Sequence, residues 1–234
     1  MKRNRHLRAD ARQALKGHWG WAILVCIVFS LITSIAALPS AISSISNSLV
    51  STRGSFFNPT MAATALGFSL IASMFSFVVS LFGAGPLSAG MCGSFNKFFS
   101  ESDTNTIGNL FRLGFGEGRY WKNVWGIFLM NLFTMLWTLL FIVPGIIKAF
   151  AYAMTPYILI DNPELGPNEA RQRSIQMMRG HKWKLFGLEL SFIGWFMLCL
   201  LSLGVGFIWL TPYYRMAHAA FYRNLVDEFN AKNN

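Results

Sequence analysis

Asn123–Ile147 reads NVWGIFLMNLFTMLWTLLFIVPGII, 25 residues without an Asp, Glu, Lys or Arg between Lys122 and Lys148. A helix rises 1.5 Å per residue, so about 20 such residues cross a hydrocarbon core of roughly 30 Å. Outward from this stretch the same kind of gap recurs: 36 uncharged residues separate Lys16 from Arg53, and 43 separate Arg53 from Lys97. Over the 234 residues, 53% are apolar and only 13% charged, against about 25% charged in soluble domains. A single soluble enzyme domain is excluded. The expected fold is all-α, a polytopic transmembrane helical bundle of about six spans in hairpins, with Pro/Gly-interrupted helices and interfacial amphipathic helices.

The spans are expected at Trp19 to Pro39, Met61 to Phe82, Asn123 to Val143, Ile146 to Ile160, Leu185 to Leu203 and Gly206 to Val226. The small residues of IAALPSA (Ile35–Ala41) also suit signal-peptide cleavage, but a charged leader of 18 residues is long for that. Behind Pro39, the serines Ser40, Ser43, Ser44, Ser46 and Ser48 alternate with Ile42, Ile45 and Leu49 in the stripe of a short interfacial helix. Thr60 is the expected cap of the second span. Pro86, Pro144, Gly145, Gly204, Gly206 and Pro212 are the candidate helix breaks.

Seventeen of the 20 Lys and Arg fall in residues 1–18, 97–122, 161–184 and the tail. Arg53 lies in a loop on the other side, and Lys148 and Arg215 lie within spans. Basic loops stay cytoplasmic, so both termini are expected inside. Residues 1–234 then form a single integral membrane domain, with 1–18 a basic cytoplasmic leader and 161–184 a cytoplasmic amphipathic segment. A net charge of +10 distributed between spans points to anionic lipid headgroups as the partner, not nucleic acid.

Catalytic patterns are missing: there is no HExxH, GxSxG or P-loop lysine motif. GFGEG (Gly114–Gly118) lacks a lysine and a preceding strand, the four histidines have no ligand spacing, and Cys26, Cys92 and Cys199 sit in apolar runs. No enzyme activity, metal or cofactor is expected. In 161–184, Asn168 is expected to cap a helix and Gly180 to stop it, with Ala170, Ser174, Met177 and Met178 on one face. Arg171, Arg173, Arg179, Lys182 and Lys184 are the candidate contacts to anionic lipid or to a membrane or cytoplasmic protein partner. Asp161 or Asn162 is expected to accept hydrogen bonds from the following turn. Within the spans, Glu189 should face the interior and engage Arg215 or His218, while Lys148 snorkels outward.

Three entries look alike: KGHW (Lys16–Trp19), RYWK (Arg119–Lys122) and HKWK (His181–Lys184). MTPY (Met154–Tyr157) and LTPY (Leu210–Tyr213) also recur, which suggests repeated hairpins. Interrupted spans in corresponding positions are a pointer to a transport site, the alternative function.

The run LFIVPGIIKAFAYAMTPYILIDNPELGPNEARQRSIQMMRGHKWKLFGLELSFIGW (Leu140–Trp195), with ARQALKGHW (Ala11–Trp19) and GPLSAG (Gly85–Gly90), resembles the bacterial membrane family catalogued as domain of unknown function 975. The likeness covers about Leu7 to Leu225 and is specific from Trp121 to Tyr222, where Pro144-Gly145, Tyr152, Asp161-Asn162-Pro163, Ala170, Ser174 and Gly180 match. The chain is also distantly similar to the membrane portion of some glycerophosphodiester phosphodiesterases, without their catalytic domain. The resemblance implies a multi-pass protein of a bacterial cell membrane and no particular activity.

Overall fold

The computed structural model describes residues 3–52, 59–116 and 118–233; Arg53 and Glu117 of the Gly-rich stretch lie outside them. Among the described residues every regular element is helical: α1 (Asn4–Leu15), α2 (Trp19–Thr52), α3 (Pro59–Val79), a π-helical turn (Ser80–Ala84), α4 (Gly85–Glu101), α5 (Thr106–Phe115), α6 (Tyr120–Leu140), α7 (Ile142–Tyr152), α8 (Thr155–Asp161), α9 (Pro167–Met177), α10 (Lys182–Leu201) and α11 (Phe207–Asn233). The chain packs as two compact units, Met1–Ile27 with Pro86–Asn234, and Val28–Gly85.

The smaller unit holds the rest of α2, α3 and the π-helical turn. The expected break at Pro39 does not occur: α2 continues through it to Thr52. The serines behind the proline turn their hydroxyls onto the helix itself. Ser40 donates to the Ala37 carbonyl (2.8 Å), and Ser43 and Ser44 donate to Ser40 (2.8 and 2.9 Å). Hydroxyls satisfied in this way suit an apolar surrounding. Thr60 lies inside α3, which starts at Pro59. At GAGP the chain does not break either. The π-helical turn absorbs the irregularity, and Pro86 follows it directly as the second residue of α4.

In the larger unit the hairpin turns are shorter than the sequence implies. α6 and α7 are joined by Phe141 alone, in extended conformation, so Pro144 is not a turn but lies in the first turn of α7. Gly145 is where the two helices nearly touch: a Cβ there would meet the Thr138 Oγ1 and come within 2.6 Å of the Thr138 Cα. The expected fourth span is broken at Ala153-Met154 into α7 and α8, with Pro156 in the first turn of α8. Gly204 (φ +88°) and Gly206 do sit in a turn, the one joining α10 to α11. Pro212 lies inside α11 without ending it.

The three similar entries share a conformation. Gly17, Gly118 and Gly180 have φ of +82°, +75° and +82°, and each stands two residues before the first residue of α2, α6 and α10 respectively. Left-handed backbone carries no Cβ clash at glycine, so the chain can swing sharply out of a short helix into a long one. Between α1 and the start of α2 the bend is 97°.

Among the described residues four stretches are long and apolar enough to cross a membrane: Leu66–Glu101, Tyr120–Leu140, Ile142–Asp161 and Lys182–Leu201. A fifth is counted if α1 and Trp19–Ile35 form one bent span. The sixth expected span, α11, is not among them, because Arg215, His218, Arg223, Asp227 and Glu228 dilute its apolar content. These helices are greasy outside as well as inside: Leu139 and Leu201 are 80% and 81% exposed. Such a surface matches hydrocarbon, not water.

Gly145→Ala is expected to lower the thermal stability of the detergent-solubilised protein by about 1–3 kcal/mol through overpacking against Thr138. Gly194→Ala in α10, where a Cβ meets nothing within 4 Å, should leave the melting curve in place. Equal behaviour of the two variants would refute the close crossing.

Candidate functional site

The most elaborate polar arrangement lies where the C-terminal parts of α4, α8 and α11 meet. Asp161 closes the seven-residue α8. Its Oδ1 accepts a hydrogen bond from Asn96 Nδ2 on α4 (2.7 Å), and its Oδ2 accepts one from the Tyr222 hydroxyl on α11 (3.0 Å). Arg223 Nη1 stands 3.7 Å from the same Oδ2. Arg223 Nε donates to Asn96 Oδ1 (2.7 Å) and its Nη2 donates to Ser100 Oγ (3.1 Å). Asn96 is fully buried, and only one orientation of its amide serves both a carboxylate and a guanidinium. Of Asp161 and Asn162, it is Asn162 that accepts from the following turn, its carbonyl taking the Leu165 N–H (3.1 Å), whereas the donors to Asp161 come from other helices.

Tyr222 stacks on Tyr157 with ring centroids 5.0 Å apart. Chemically this arrangement neutralises and holds a carboxylate: both Asp161 oxygens are occupied by side-chain donors.

A second junction joins α10 to α11. His181 Nε2 stands 3.4 Å from Glu228 Oε1, which also accepts from Lys232 Nζ (2.8 Å). The Lys232 hydrogen bond holds the Glu228 carboxyl down at about 2. Burial holds the His181 imidazole below its ordinary value, partly offset by Glu228. On the loop before α5, Asp103 accepts from Asn109 Nδ2 (2.7 Å) and the Asn105 N–H (2.9 Å), which keep its carboxyl below the usual range.

The residues singled out in the sequence are placed as follows. His218 Nε2 and Glu189 Oε1 are 3.9 Å apart across α10 and α11, too far for a hydrogen bond. Among the described residues Arg215 makes no ion pair with Glu189. Lys148 lies with its ammonium 4.8 Å from the Trp137 ring centroid. The basic set of 161–184 is divided. Arg171 turns inward onto the rings of Phe133 (4.3 Å) and Tyr152 (5.6 Å), and Arg173 lies over Phe229 (5.8 Å). Lys182 is half-buried, and Arg179 and Lys184 are exposed. α9 starts one residue before Asn168, at Pro167, with Glu169 Oε2 accepting from the Gly166 N–H (2.7 Å). Its buried Ala170, Ser174 and Met177 face the bundle, and Ser174 Oγ donates to the Ala151 carbonyl (2.8 Å).

Sequence reading missed Asn96, Tyr222 and Arg223. The available signal was a polar residue, Asn96, embedded in an apolar run, and an aromatic-arginine pair near the end of α11. Among the described residues no group of three His, Cys, Asp or Glu is placed to hold a metal ion.

By the length and composition of its helices this is a multi-span helical membrane protein. Residues 130–228, which include Asp161, Tyr222 and Arg223, match the model of the family described as protein of unknown function (DUF975). Neither the curated proteins nor the solved structures give a match, so the likeness to the phosphodiesterase membrane portion is not shown.

Asp161→Ala is expected to destabilise the protein by about 2–3 kcal/mol, because it strands the Arg223 charge and two buried donors. Tyr222→Phe should cost about 1 kcal/mol, and the double change should cost less than the sum. An unchanged melting profile for Asp161→Ala would show the junction to be inert. For His181, the folded imidazole binds its proton less readily than the unfolded one, whose pKa is about 6.5. Stability therefore falls as pH drops below about 6.5. His181→Gln should remove that part of the acid sensitivity in melts between pH 7.5 and 5.5; identical pH slopes would refute it.

Proposed function

We propose that this chain is a non-enzymatic, multi-pass protein of a bacterial cell membrane, with both termini cytoplasmic, that organises anionic lipid or a protein partner. One observation supports this reading above others: three polar junctions of the larger unit each engage a residue at or next to a helix end, in segments that also carry basic residues. They are Asp161 with Arg223, Lys122 Nζ donating to the Pro163 carbonyl (2.5 Å), and His181 with Glu228. Around them Arg112, Arg179 and Lys184 remain exposed. A basic rim on a rigid base attracts anionic headgroups by about 1 kcal/mol per residue near the surface. A second reading, a small-solute or lipid transporter, draws on the break at Ala153-Met154 inside an otherwise apolar span.

The test is extraction of the full-length protein from native membranes in mild detergent, followed by mass spectrometry of lipids and proteins. Enrichment of anionic phospholipid over the bulk membrane, or a stoichiometric protein partner, is expected. A lipid profile equal to bulk with no partner overturns the proposal, and solute flux in proteoliposomes abolished by Pro156→Ala would put transport in its place.

A further inference from the structure

α1 carries Arg5, Arg8 and Arg12, which at 100° per residue fall within a 60° sector of the helix. That row borders the fully buried stripe Leu7, Ala11 and Leu15, so it flanks the seam where α1 packs on α10 and α11. The carboxylate of this helix, Asp10, lies on the opposite side, two residues from both Arg8 and Arg12. Asn4 Nδ2 donates to the Lys184 carbonyl (3.0 Å) and the Tyr213 hydroxyl donates to the Arg8 carbonyl (3.4 Å), fixing α1 along the hairpin.

Two cavities open along this seam. One of about 250 Å³ is lined by the three arginines with Ala9, Trp195 and Tyr213. The other, about 400 Å³, continues from Arg12, Trp195 and Tyr213 between Trp19, Leu198, Cys199, Trp209 and Leu210 to the turn at Ser202–Gly206. The first is basic and the second apolar. Among the described residues no carboxylate pairs with Arg5, Arg8 or Arg12. Arg12 lies over the Tyr213 ring at 5.8 Å, and Arg8 Nε is buried without a hydrogen-bond partner.

Three guanidinium groups gathered on one side of a helix, with no carboxylate among them, attract an anion, and phosphate is the anion that their forked geometry fits. A free phosphate would leave the adjoining apolar cleft unexplained. That cleft lies within the size range of ligand sites, and Trp195, Leu198 and Trp209 leave it half-open to the surroundings (48%, 59% and 54% exposed). We infer that the seam holds one anionic phospholipid, with its phosphate on Arg5, Arg8 and Arg12 and an acyl chain along Trp195, Leu198 and Trp209. This rests on the lipid-organising reading and gives it a site.

The experiment is native mass spectrometry of the full-length protein in detergent, titrated with phosphatidylglycerol or with phosphatidylcholine of the same chains. One phosphatidylglycerol per chain is expected, with weaker phosphatidylcholine binding. The triple variant Arg5→Gln, Arg8→Gln, Arg12→Gln should lose at least about tenfold in affinity. Leu198→Trp, which fills the cleft and keeps the arginines, should lose severalfold. Wild-type binding by the triple variant overturns the site while leaving the lipid-organising reading standing; no preference for phosphatidylglycerol in the wild type overturns both. Displacement of the lipid by millimolar inorganic phosphate overturns the acyl-chain half. If the triple variant does not fold, Leu198→Trp decides alone, and unchanged binding refutes the proposal.

Discussion

A carboxylate at the end of a seven-residue helix is the constraint around which the larger unit is arranged. α8 is too short to be stable by itself, and Asp161 at its end could not sit beside apolar helices without donors. Asn96 from α4 and Tyr222 and Arg223 from α11 provide them, so helices far apart in the chain are fixed in register by one charge. The small residues follow from the same closeness. A Cβ on Gly93 would collide with Ile160, and one on Gly126 with Leu159. Helices packed this tightly cannot slide to another register without losing the Asp161 contacts.

Basic residues serve two different ends in this fold. Arg171 is spent inside, over the faces of Phe133 and Tyr152, where a cation against an aromatic ring replaces part of its lost hydration. Arg5, Arg8 and Arg12 keep their charge at an open seam. Counting positive charge orients a chain but does not separate these uses. The difference lies in which helix face each residue occupies and what packs there. α9 packs on the bundle through its Ala170–Ser174–Met177 stripe, which is small and buries well.

The spans were legible because a missing charge over 25 to 43 residues is a signal carried by composition alone. Turns were less legible. Proline was read as an interruption, yet Pro144 occupies a first helical turn, where the absent N–H has no partner to lose, and Pro39 and Pro212 are carried within helices. The entry motifs were visible as Trp next to basic residues, but the feature they share is the left-handed glycine before them. Within the α10–α11 hairpin, periodicity could bring Glu189 near His218, because both lie on consecutive helices. The Asp161 junction joins residues 61 to 65 positions apart, and no local pattern encodes such a pairing.

The brevity of the turns opposite the Asp161 junction has a consequence for access. Phe141 alone joins α6 to α7, and both it and Ile142 are well exposed; the tip of the α10–α11 turn is Leu203, almost wholly exposed. Hairpin tips made of bare hydrophobic side chains have nothing with which to stand out in water, so they settle at or below the plane of the headgroups. On that side the larger unit offers proteases, antibodies and soluble ligands almost no handle at these hairpins. Whatever engages it there must arrive sideways, dissolved in the bilayer.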